Sequence, residues 1–214
     1  MDKLEISIDS WNEVEHDKFR RQTGSHKKCF DALSICKKLG MPAVITMTVI
    51  KNATKTESFS NMVSFAIQNK IPLIFSPAIP FGNWEDNLDI IITEEDTKTM
   101  ADLHKKYPFL TRDIYNNMNR KGCPAFKQII YITEYGDILP CAFCHISFGN
   151  IREKDIYSIR KKALKLKYFK EYHDCCLAAE DKAFIKNYLS ANYSISDYPV
   201  RAEKIFKEYT DRET

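Results

Sequence analysis

Three cysteines in the second half of the chain have a spacing that suits metal binding. Cys123 precedes a β-rich run, and Cys141 and Cys144 are separated by two residues just after a turn signal and a short strand. This C-x2-C spacing allows two thiolates to reach one metal centre without strain. The adjacent pair Cys175 and Cys176, one predicted helix later, supplies candidates for a fourth thiolate. The sequence therefore predicts a four-cysteine centre, and the spacing alone leaves zinc and an iron–sulfur cluster both open.

A β-hairpin is predicted to position these cysteines. Residues 128–133 are rich in β-forming side chains, residues 134–137 are a turn signal, and residues 138–139 start a second short strand. Because the partner strand returns the chain to where the hairpin began, we expect Cys123 and Cys141 at the same end of it.

The compartment expected from the sequence favours metal binding over disulfides. The N-terminal residues have no signal-peptide pattern, so we expect a cytoplasmic protein with reduced thiols. Clustered cysteines in that setting indicate a metal or redox site. Cys29 and Cys36 differ, because they fall on the inner stripe of a predicted helix and are expected to be small core residues.

Composition argues against two classes of partner. The 214 residues are 44% hydrophobic, which is enough to bury a core in one or two domains. The formal net charge of +3 is too small to indicate nucleic-acid binding, so we expect no nucleic-acid partner. No apolar stretch is long enough to span a bilayer, so we expect no membrane segment.

The first half of the chain is predicted to alternate strands and helices. Strands are predicted over 4–10, 43–50 and 71–79, and helices over 25–39, with Ser25 as N-cap, and 57–70. Residues 11–22 are expected to form a loop with a short helical turn. The two later strands are nearly continuous apolar runs, so we expect them to be buried on both faces. The order of elements predicts a parallel sheet with helices packed on it.

Helices dominate the prediction for the rest of the chain. Residues 93–96 give a helix start with acidic residues in the first turn, and that helix is expected to end near Lys106. Residues 107–121 are expected to be irregular. Further helices are predicted over 155–172, 178–189 and 200–209. The basic side chains of the first of these, including Arg160, are expected to form a solvated face.

The predicted sheet is incomplete as a free-standing domain. Three parallel strands with apolar faces would expose unpaired edge groups and Val/Ile surface. The first strand begins only a few residues after Met1. We therefore expect earlier βα units to lie on a partner chain, or the chain to be a fragment of a longer protein.

The residue pattern resembles that of a known enzyme superfamily. Residues 6–10, 16–20 and 24–25 are similar to the fourth strand and following helix of a radical S-adenosylmethionine (AdoMet) enzyme barrel. The strands at 43–50 and 71–79 would then be the fifth and sixth. The cysteine region resembles the SPASM/twitch extension, which carries an auxiliary iron–sulfur cluster. The matching elements are Cys123, the Gly136-x4-Cys141 hairpin, Cys144 and the segment 148–151.

The resemblance implies an α/β fold in three parts. Residues 1–92 would be the C-terminal half of a radical SAM βα barrel with parallel strands, and 93–121 a connecting helix and linker. Residues 122–214 would be a SPASM/twitch-like iron–sulfur domain made of a hairpin and helices.

The resemblance also implies ligands. The residues implied to hold an auxiliary 4Fe-4S cluster are Cys123, Cys141, Cys144 and Cys176, with Cys175 an open alternative to the last. Ser7, Asp9 and Arg20 would lie near the carboxyl ends of barrel strands, where polar groups hold the ribose and carboxylate of AdoMet. The simpler interpretation is that Asp9 stabilises a turn and that Arg20 is a surface charge.

Two features of the family are missing. The chain has neither the C-x3-C-x2-C loop that holds the AdoMet-cleaving cluster nor the glycine-rich second strand. We therefore expect the C-terminal part of an enzyme that modifies a peptide or small-molecule substrate by radical chemistry, and we name no catalytic residue. The alternatives are a non-catalytic iron–sulfur or zinc module that binds a partner protein, and an α/β protein whose cysteines are incidental.

Overall fold

The computed structural model describes residues 3–85, 87–113, 122–190 and 199–209. The chain forms two compact units, each built from two stretches of sequence. The first unit comprises Met1–Ala78 and Asp89–Met118, and the second comprises Ile79–Leu88 and Asn119–Thr214. The three-part domain division expected from the sequence stays a prediction.

A four-stranded parallel sheet forms the centre of the first unit. Its strands are β1 (Leu4–Ser7), β2 (Ala43–Val49), β3 (Leu73–Pro77) and β4 (Leu110–Arg112), side by side in chain order. Every neighbouring pair is parallel. The predicted α/β class with a parallel sheet is therefore confirmed, whereas its membership of a partial barrel stays a prediction.

β4 corrects the expectation that residues 107–121 are irregular. A strand of three residues is too short for the period-two alternation that marks a strand in a sequence. The neighbouring strand β3 supplies the missing information, since Leu73 pairs with Leu110 and Phe75 with Arg112. Residues 114–121 lie outside the described residues.

Four helices accompany this sheet. They are α1 (Glu13–Arg20), α2 (Ser25–Leu39), α3 (Glu57–Asn69) and α4 (Glu94–Lys106). The helices and one face of the sheet enclose a core that includes Ile8, Ile45, Met62, Phe75 and Met100. α1 is longer than the short turn expected there, because Asn12 caps it by accepting a hydrogen bond from the N–H of Glu15.

The cap of α2 differs from the prediction. Ser25 is not the N-cap; that position is Gly24, whose lack of a side chain rules out a side-chain cap bond. The Asp17 carboxylate of α1 takes this role instead. It accepts hydrogen bonds from the Ser25 hydroxyl (2.9 Å) and from the backbone N–H of His26 (2.8 Å), and so ties α1 to α2.

The sheet is buried mainly on one face, which corrects the expectation of two buried faces. Along β2, Ile45 and Val49 are buried, whereas Thr46 and Thr48 on the opposite face are partly exposed. The Thr46 hydroxyl donates to the carboxylate of Glu5 over 2.6 Å. Threonine favours strands because it is β-branched, and this preference says nothing about which face of the sheet is covered.

The second unit contains only short strands and helices. β5 (Tyr131–Ile132) and β6 (Ile138–Leu139) are antiparallel, and β7 (Ile146–Ser147) pairs in parallel with β8 (Val200–Arg201). The helices are α5 (Ile156–Ala163), α6 (Lys167–Lys170), α7 (Lys182–Phe184) and α8 (Ala202–Ile205), with a π-helical turn over Ile185–Leu189. No helix in the described ranges of either unit is long and apolar enough to cross a membrane.

Three predicted helices of this unit are wrong in extent. The helix expected over 155–172 is interrupted, because Leu166 adopts an extended conformation and its side chain is buried. The helix expected over 178–189 starts only after Asp181, which caps it. The helix expected over 200–209 begins instead as a strand, because Val200 pairs with Ile146. In each case tertiary packing overrides helical periodicity.

Aromatic side chains form the core of the second unit. The ring of Phe148 meets those of Phe126 and Phe169 edge to face, with centroids 4.8 Å and 5.2 Å away. The Tyr209 hydroxyl donates to the carbonyl of Phe148 over 2.7 Å. Edge-to-face rings add a geometric preference to burial, so these contacts fix the positions of the short elements around them.

Candidate metal centre

Five of the seven cysteines lie in the second unit, and four of the five are buried. Cys123 is 3% exposed, Cys141 7%, Cys144 2% and Cys176 1%. All of these thiols are free rather than paired in disulfides. Free buried thiols in one small unit are a suitable donor set for zinc or an iron–sulfur cluster.

Three of the buried thiols are close enough to the fourth, Cys144, to influence its ionisation. Burial raises the pKa of the Cys144 thiol well above its usual range, and the neighbouring Cys141, Cys123 and Cys176 raise it further. The physical cause of the second effect is repulsion between neighbouring thiolates. A bound cation removes that repulsion and favours the ionised thiols.

The described part of the chain has no preformed site for a single metal ion. Within the described ranges there is no group of three or more His, Cys, Asp or Glu side chains that could hold one metal ion. The other three thiols can still raise the pKa of Cys144, because charge acts over a longer distance than a coordination bond. In a four-iron cluster each thiolate binds its own iron, so the sulfurs lie further apart than around one zinc ion.

Backbone and side-chain hydrogen bonds close the loop between Cys141 and Cys144. The N–H of Cys144 donates to the carbonyl of Cys141 over 3.3 Å. A ring nitrogen of His145 donates to the carbonyl of Ala142 over 2.9 Å, and the ring stands edge to face against Phe81. Burial lowers the pKa of His145, while its bond to Ala142 opposes that change. His145 therefore fixes the loop as a neutral donor.

The segment before Cys123 lies against the segment before the second pair of cysteines. The N–H of Cys123 donates to the carbonyl of His173 over 2.8 Å. Gly122 has φ +79, and a Cβ there would overlap the carbonyl oxygen and carbon of His173. A glycine is thus required for this close approach, which brings Cys123 towards the Cys175-Cys176 pair.

Cys175 and Cys176 have different surroundings. Cys176 is buried, its N–H donates to the Glu180 carboxylate over 2.8 Å, and its thiol is one of those that raise the pKa of Cys144. Cys175 is partly exposed, and burial followed by the carboxylates of Glu180 and Asp181 raises its pKa to about 11. Glu180 lies near both residues, so the difference is one of burial and position: Cys176 is buried and lies close enough to Cys144 to raise its pKa, which makes it the better placed of the two.

Two basic residues near Cys123 were not predicted to be functional. The Lys127 ammonium donates to the carbonyl of Phe169 over 3.3 Å; burial lowers its pKa, and the neighbouring Cys123 opposes this. Arg160 donates to the carbonyls of Phe126 (2.7 Å) and Lys127 (3.0 Å), so its expected place on a solvated face is wrong. The sequence offered no signal for either role beyond the closeness of Lys127 to Cys123.

The residues expected to contact AdoMet lie in the first unit, at the carboxyl end of β1. Asp9 pairs with Arg20 through Oδ2 and Nε at 2.5 Å, and its Oδ1 accepts from the N–H of Thr48 over 3.0 Å. The Asp9 side chain is 3% exposed and that of Arg20 is 37% exposed. Ser7 is exposed on the same strand, and its carbonyl accepts from the thiol of Cys29. The structure thus brings Asp9 and Arg20 together, while Ser7 is the last residue of β1, two positions before Asp9.

Comparison with known protein families gives one match. Residues 123–181 match the model of the SPASM family, an iron-sulfur cluster-binding domain. The match starts at Cys123 and ends just after the Cys175-Cys176 pair, and it covers a little over a quarter of the chain. It indicates an iron–sulfur cluster-binding role and is consistent with the C-terminal portion of a radical SAM enzyme of the SPASM type. No curated protein matches the chain.

Proposed function

We propose that the chain is the auxiliary-cluster part of a radical AdoMet enzyme and that it binds one 4Fe-4S cluster. The proposed ligands are Cys123, Cys141, Cys144 and Cys176. One observation carries this proposal: the residues of the iron–sulfur family match include four buried, free thiols, three of which lie close enough to the fourth, Cys144, to raise its pKa. The bound cluster would supply one-electron redox chemistry to a reaction on a peptide or small-molecule substrate.

The protein's own contribution to this centre is shielding and charge. Burial of the four thiols keeps water from the sulfurs, and the hydrogen bonds of the Cys141–Cys144 loop hold two of them in place. The Lys127 ammonium lies near Cys123, where positive charge favours the ionised sulfur. In this proposal Lys127 offsets part of the negative charge that four thiolates bring.

A second part of the proposal concerns AdoMet. Arg20 is the group that would meet the AdoMet carboxylate, since a guanidinium binds a carboxylate through two parallel hydrogen bonds. Asp9 would orient Arg20 rather than touch the cofactor, because its two oxygens bind Arg20 and Thr48. Ser7 would contribute its exposed hydroxyl. AdoMet cleavage itself is assigned to a C-x3-C-x2-C segment, a motif that does not occur in the 214 residues.

The experiment is anaerobic iron and sulfide analysis with a visible spectrum for the reconstituted protein. We expect about four irons and four sulfides per chain, as for a 4Fe-4S cluster. Cys141→Ala and Cys176→Ala should each lose most of the iron and the visible absorbance. Cys175→Ala is the matched control, since it removes the adjacent thiol, and it should keep both.

Stoichiometric zinc in a colourless protein would overturn the cluster and favour the alternative of a zinc-binding interaction module. Equal iron loss in Cys175→Ala and Cys176→Ala would contradict the ligand assignment and leave the cluster standing.

A further inference from the structure

A cavity of about 590 Å³ opens in the first unit between α2 and α3, at the amino ends of the strands. Apolar side chains from both helices and from the segments leading into β2 and β3 line it. They include Phe30, Leu33, Met41, Phe65 and Ile71. Small-molecule sites are typically cavities of roughly 300–1,000 Å³ with a mostly apolar lining and a few polar groups.

The charged side chains at this cavity all have the same sign. They belong to Lys3, Lys37 and Lys70, and none of the described residues that line the cavity is Asp or Glu. All three lysines are exposed, so their ammonium groups can meet a ligand at the mouth while its apolar part lies inside. An apolar cavity with a cationic rim is complementary to a molecule with an apolar body and an anionic head.

We propose that this cavity binds an amphiphilic anion, a small molecule with an aliphatic or aromatic body and a carboxylate or phosphate head. The body packs against Phe30 and Phe65, and the head pairs with the lysines of the rim. A small molecule suits this cavity better than a peptide helix, which needs an extended groove for anchors on successive turns. The inference uses none of the four proposed cluster ligands and is tested independently of the proposed cluster.

Lys70 ends its helix in a backbone conformation that glycine adopts more easily. Lys70 ends α3 in the left-handed region, with φ +53, and its N–H donates to the carbonyls of Ala66 and Ile67. Gly40 holds the same position at the end of α2 with φ +63. Glycine suits this conformation better than any residue with a Cβ.

Lys37 and Lys70 also lie at the C-terminal ends of helices, where a positive charge offsets the helix dipole. The two roles are separable in Lys70→Gly. This change removes the ammonium and relieves the backbone strain, so it should weaken binding without lowering the melting temperature.

Trp11 provides a fluorescent reporter of cavity occupancy. Its ring centroid lies 5.6 Å from that of Phe30 and 5.5 Å from that of Phe65, and both phenylalanines line the cavity. The chain has two tryptophans, so Trp84→Phe leaves Trp11 as the sole source of indole emission.

The experiment titrates the Trp84→Phe protein with decanoate, decyl phosphate and decanol below their aggregation concentrations. We expect a saturable change in Trp11 emission with at least one of the two anions, and binding about fivefold weaker for decanol, since one exposed charge pair contributes roughly this much. Lys70→Gly should weaken anion binding about fivefold. Lys38→Gln is the matched control, because Lys38 is the next residue to Lys37 and does not line the cavity, and it should leave the affinity unchanged.

Three results of the titrations would overturn the proposal. The first is the absence of saturable binding by both anions, and the second is equal affinity for decanol and the anions. The third is unchanged anion affinity in Lys70→Gly. A dimer in light scattering that dissociates in Lys70→Gly would also overturn it, because the cavity would then be an interface between two copies of the chain.

Discussion

The two units are stabilised in different ways. In the first unit α2 has 15 residues and α3 and α4 have 13 each, and the parallel sheet shares one apolar core with them. Among the described residues of the second unit, α5 has 8 residues, the other α-helices have 4 or fewer, and every strand has 2. Helices this short gain little stability from their own hydrogen bonds. The second unit therefore depends on close side-chain packing and, under the proposed function, on a bound cluster.

The largest expected effect that tests this contrast comes from paired glycine substitutions. Gly40 and Gly122 both have positive φ, at +63 and +79. A Cβ at Gly40 meets nothing within 4 Å, whereas one at Gly122 overlaps the backbone of His173. We expect Gly40→Ala to cost about 1 kcal/mol, the usual penalty of the left-handed conformation. Gly122→Ala should cost about 3 kcal/mol or more, because backbone overlap adds to that penalty.

Hydrogen exchange followed by mass spectrometry on peptides from each unit gives the readout. Gly122→Ala should speed exchange in the second unit and lower the iron content, while Gly40→Ala should affect the first unit alone and leave iron unchanged. If Gly40→Ala and Gly122→Ala increased exchange in their own units by the same amount, the second unit would tolerate a backbone change as well as the first. The proposed difference between the two units would then be wrong.

The first unit was largely predictable because its information is local. The helix from 94 to 106 follows from Thr93 and the acidic first turn, and the structure has the full capping box between Thr93 and Asp96. The apolar periodicity of α2 and α3 likewise gave their extents to within a residue or two. β4 was the exception, since only pairing with β3 makes it a strand.

The second unit was less predictable because its information is non-local. Cys141 and Cys144 stand out by spacing, which also predicted a four-cysteine centre, whereas the choice of an iron–sulfur cluster over zinc came from a resemblance. Nothing near Arg160 in the sequence indicates that it donates to the carbonyl of Phe126, 34 residues earlier. The break at Leu166 arises from burial against the aromatic core rather than from any helix-breaking residue.

An intermediate effect is expected from Asp96, which shows how the first unit uses local polar bonds. Its buried carboxylate accepts from the N–H of Asn52 (2.9 Å), the N–H of Thr93 (2.9 Å) and the hydroxyl of Thr54. Asp96→Ala leaves these donors without an acceptor and should lower the free energy of unfolding by about 2–3 kcal/mol. Asp96→Asn keeps one acceptor oxygen and should lose about half as much. Urea unfolding followed by circular dichroism measures both.

The effect of Asp96 should also depend on pH. Burial alone would raise its pKa, but the bonds from Thr54, Thr93 and Asn52 outweigh burial and lower it. The stabilisation is therefore complete above the unfolded pKa of about 3.9 and is lost as the pH falls below it. An equal decrease in the free energy of unfolding for Asp96→Ala and Asp96→Asn at pH 7 would contradict this account. It would indicate that the ionic charge, rather than the acceptor oxygens, holds residues 52–54 and Thr93 together.

The smallest expected effect concerns His16. It distinguishes the two units by the pH dependence of their stability. His16 is fully buried, and its Nδ1 accepts from the N–H of Asp9 over 3.2 Å, so its proton is on Nε2. Burial lowers its pKa. The nearby Asp9 and Asp17 carboxylates oppose this change, and His26 and Arg20 reinforce it. A second proton at Nδ1 would displace the bond from Asp9, so the folded first unit favours the neutral ring.

The sign of the pH dependence follows from this lowered pKa. Above pH 6.5 both the folded and the unfolded chain hold His16 neutral, and stability is unaffected. As the pH falls below 6.5 the unfolded chain takes up the proton first, so the first unit loses stability, at a rate of at most about 1.4 kcal/mol per pH unit. His16→Phe cannot titrate. The free energy of opening of the first unit, obtained from hydrogen exchange after correction for the intrinsic exchange rate, should then depend less on pH between 5 and 7.

His145→Gln is the matched control for this measurement, because His145 is a half-buried histidine of the second unit and burial lowers its pKa as well. His145→Gln should reduce the pH dependence of the opening free energy in the second unit. It should leave the pH dependence of the opening free energy in the first unit unchanged. If His16→Phe instead left the first unit as sensitive to acid as the wild type, the acid response would have to come from the carboxylates. Of these carboxylates, Asp96 has the largest expected effect on stability. Its protonation lowers the stability of the first unit only below pH 5, outside the interval in which His16 titrates.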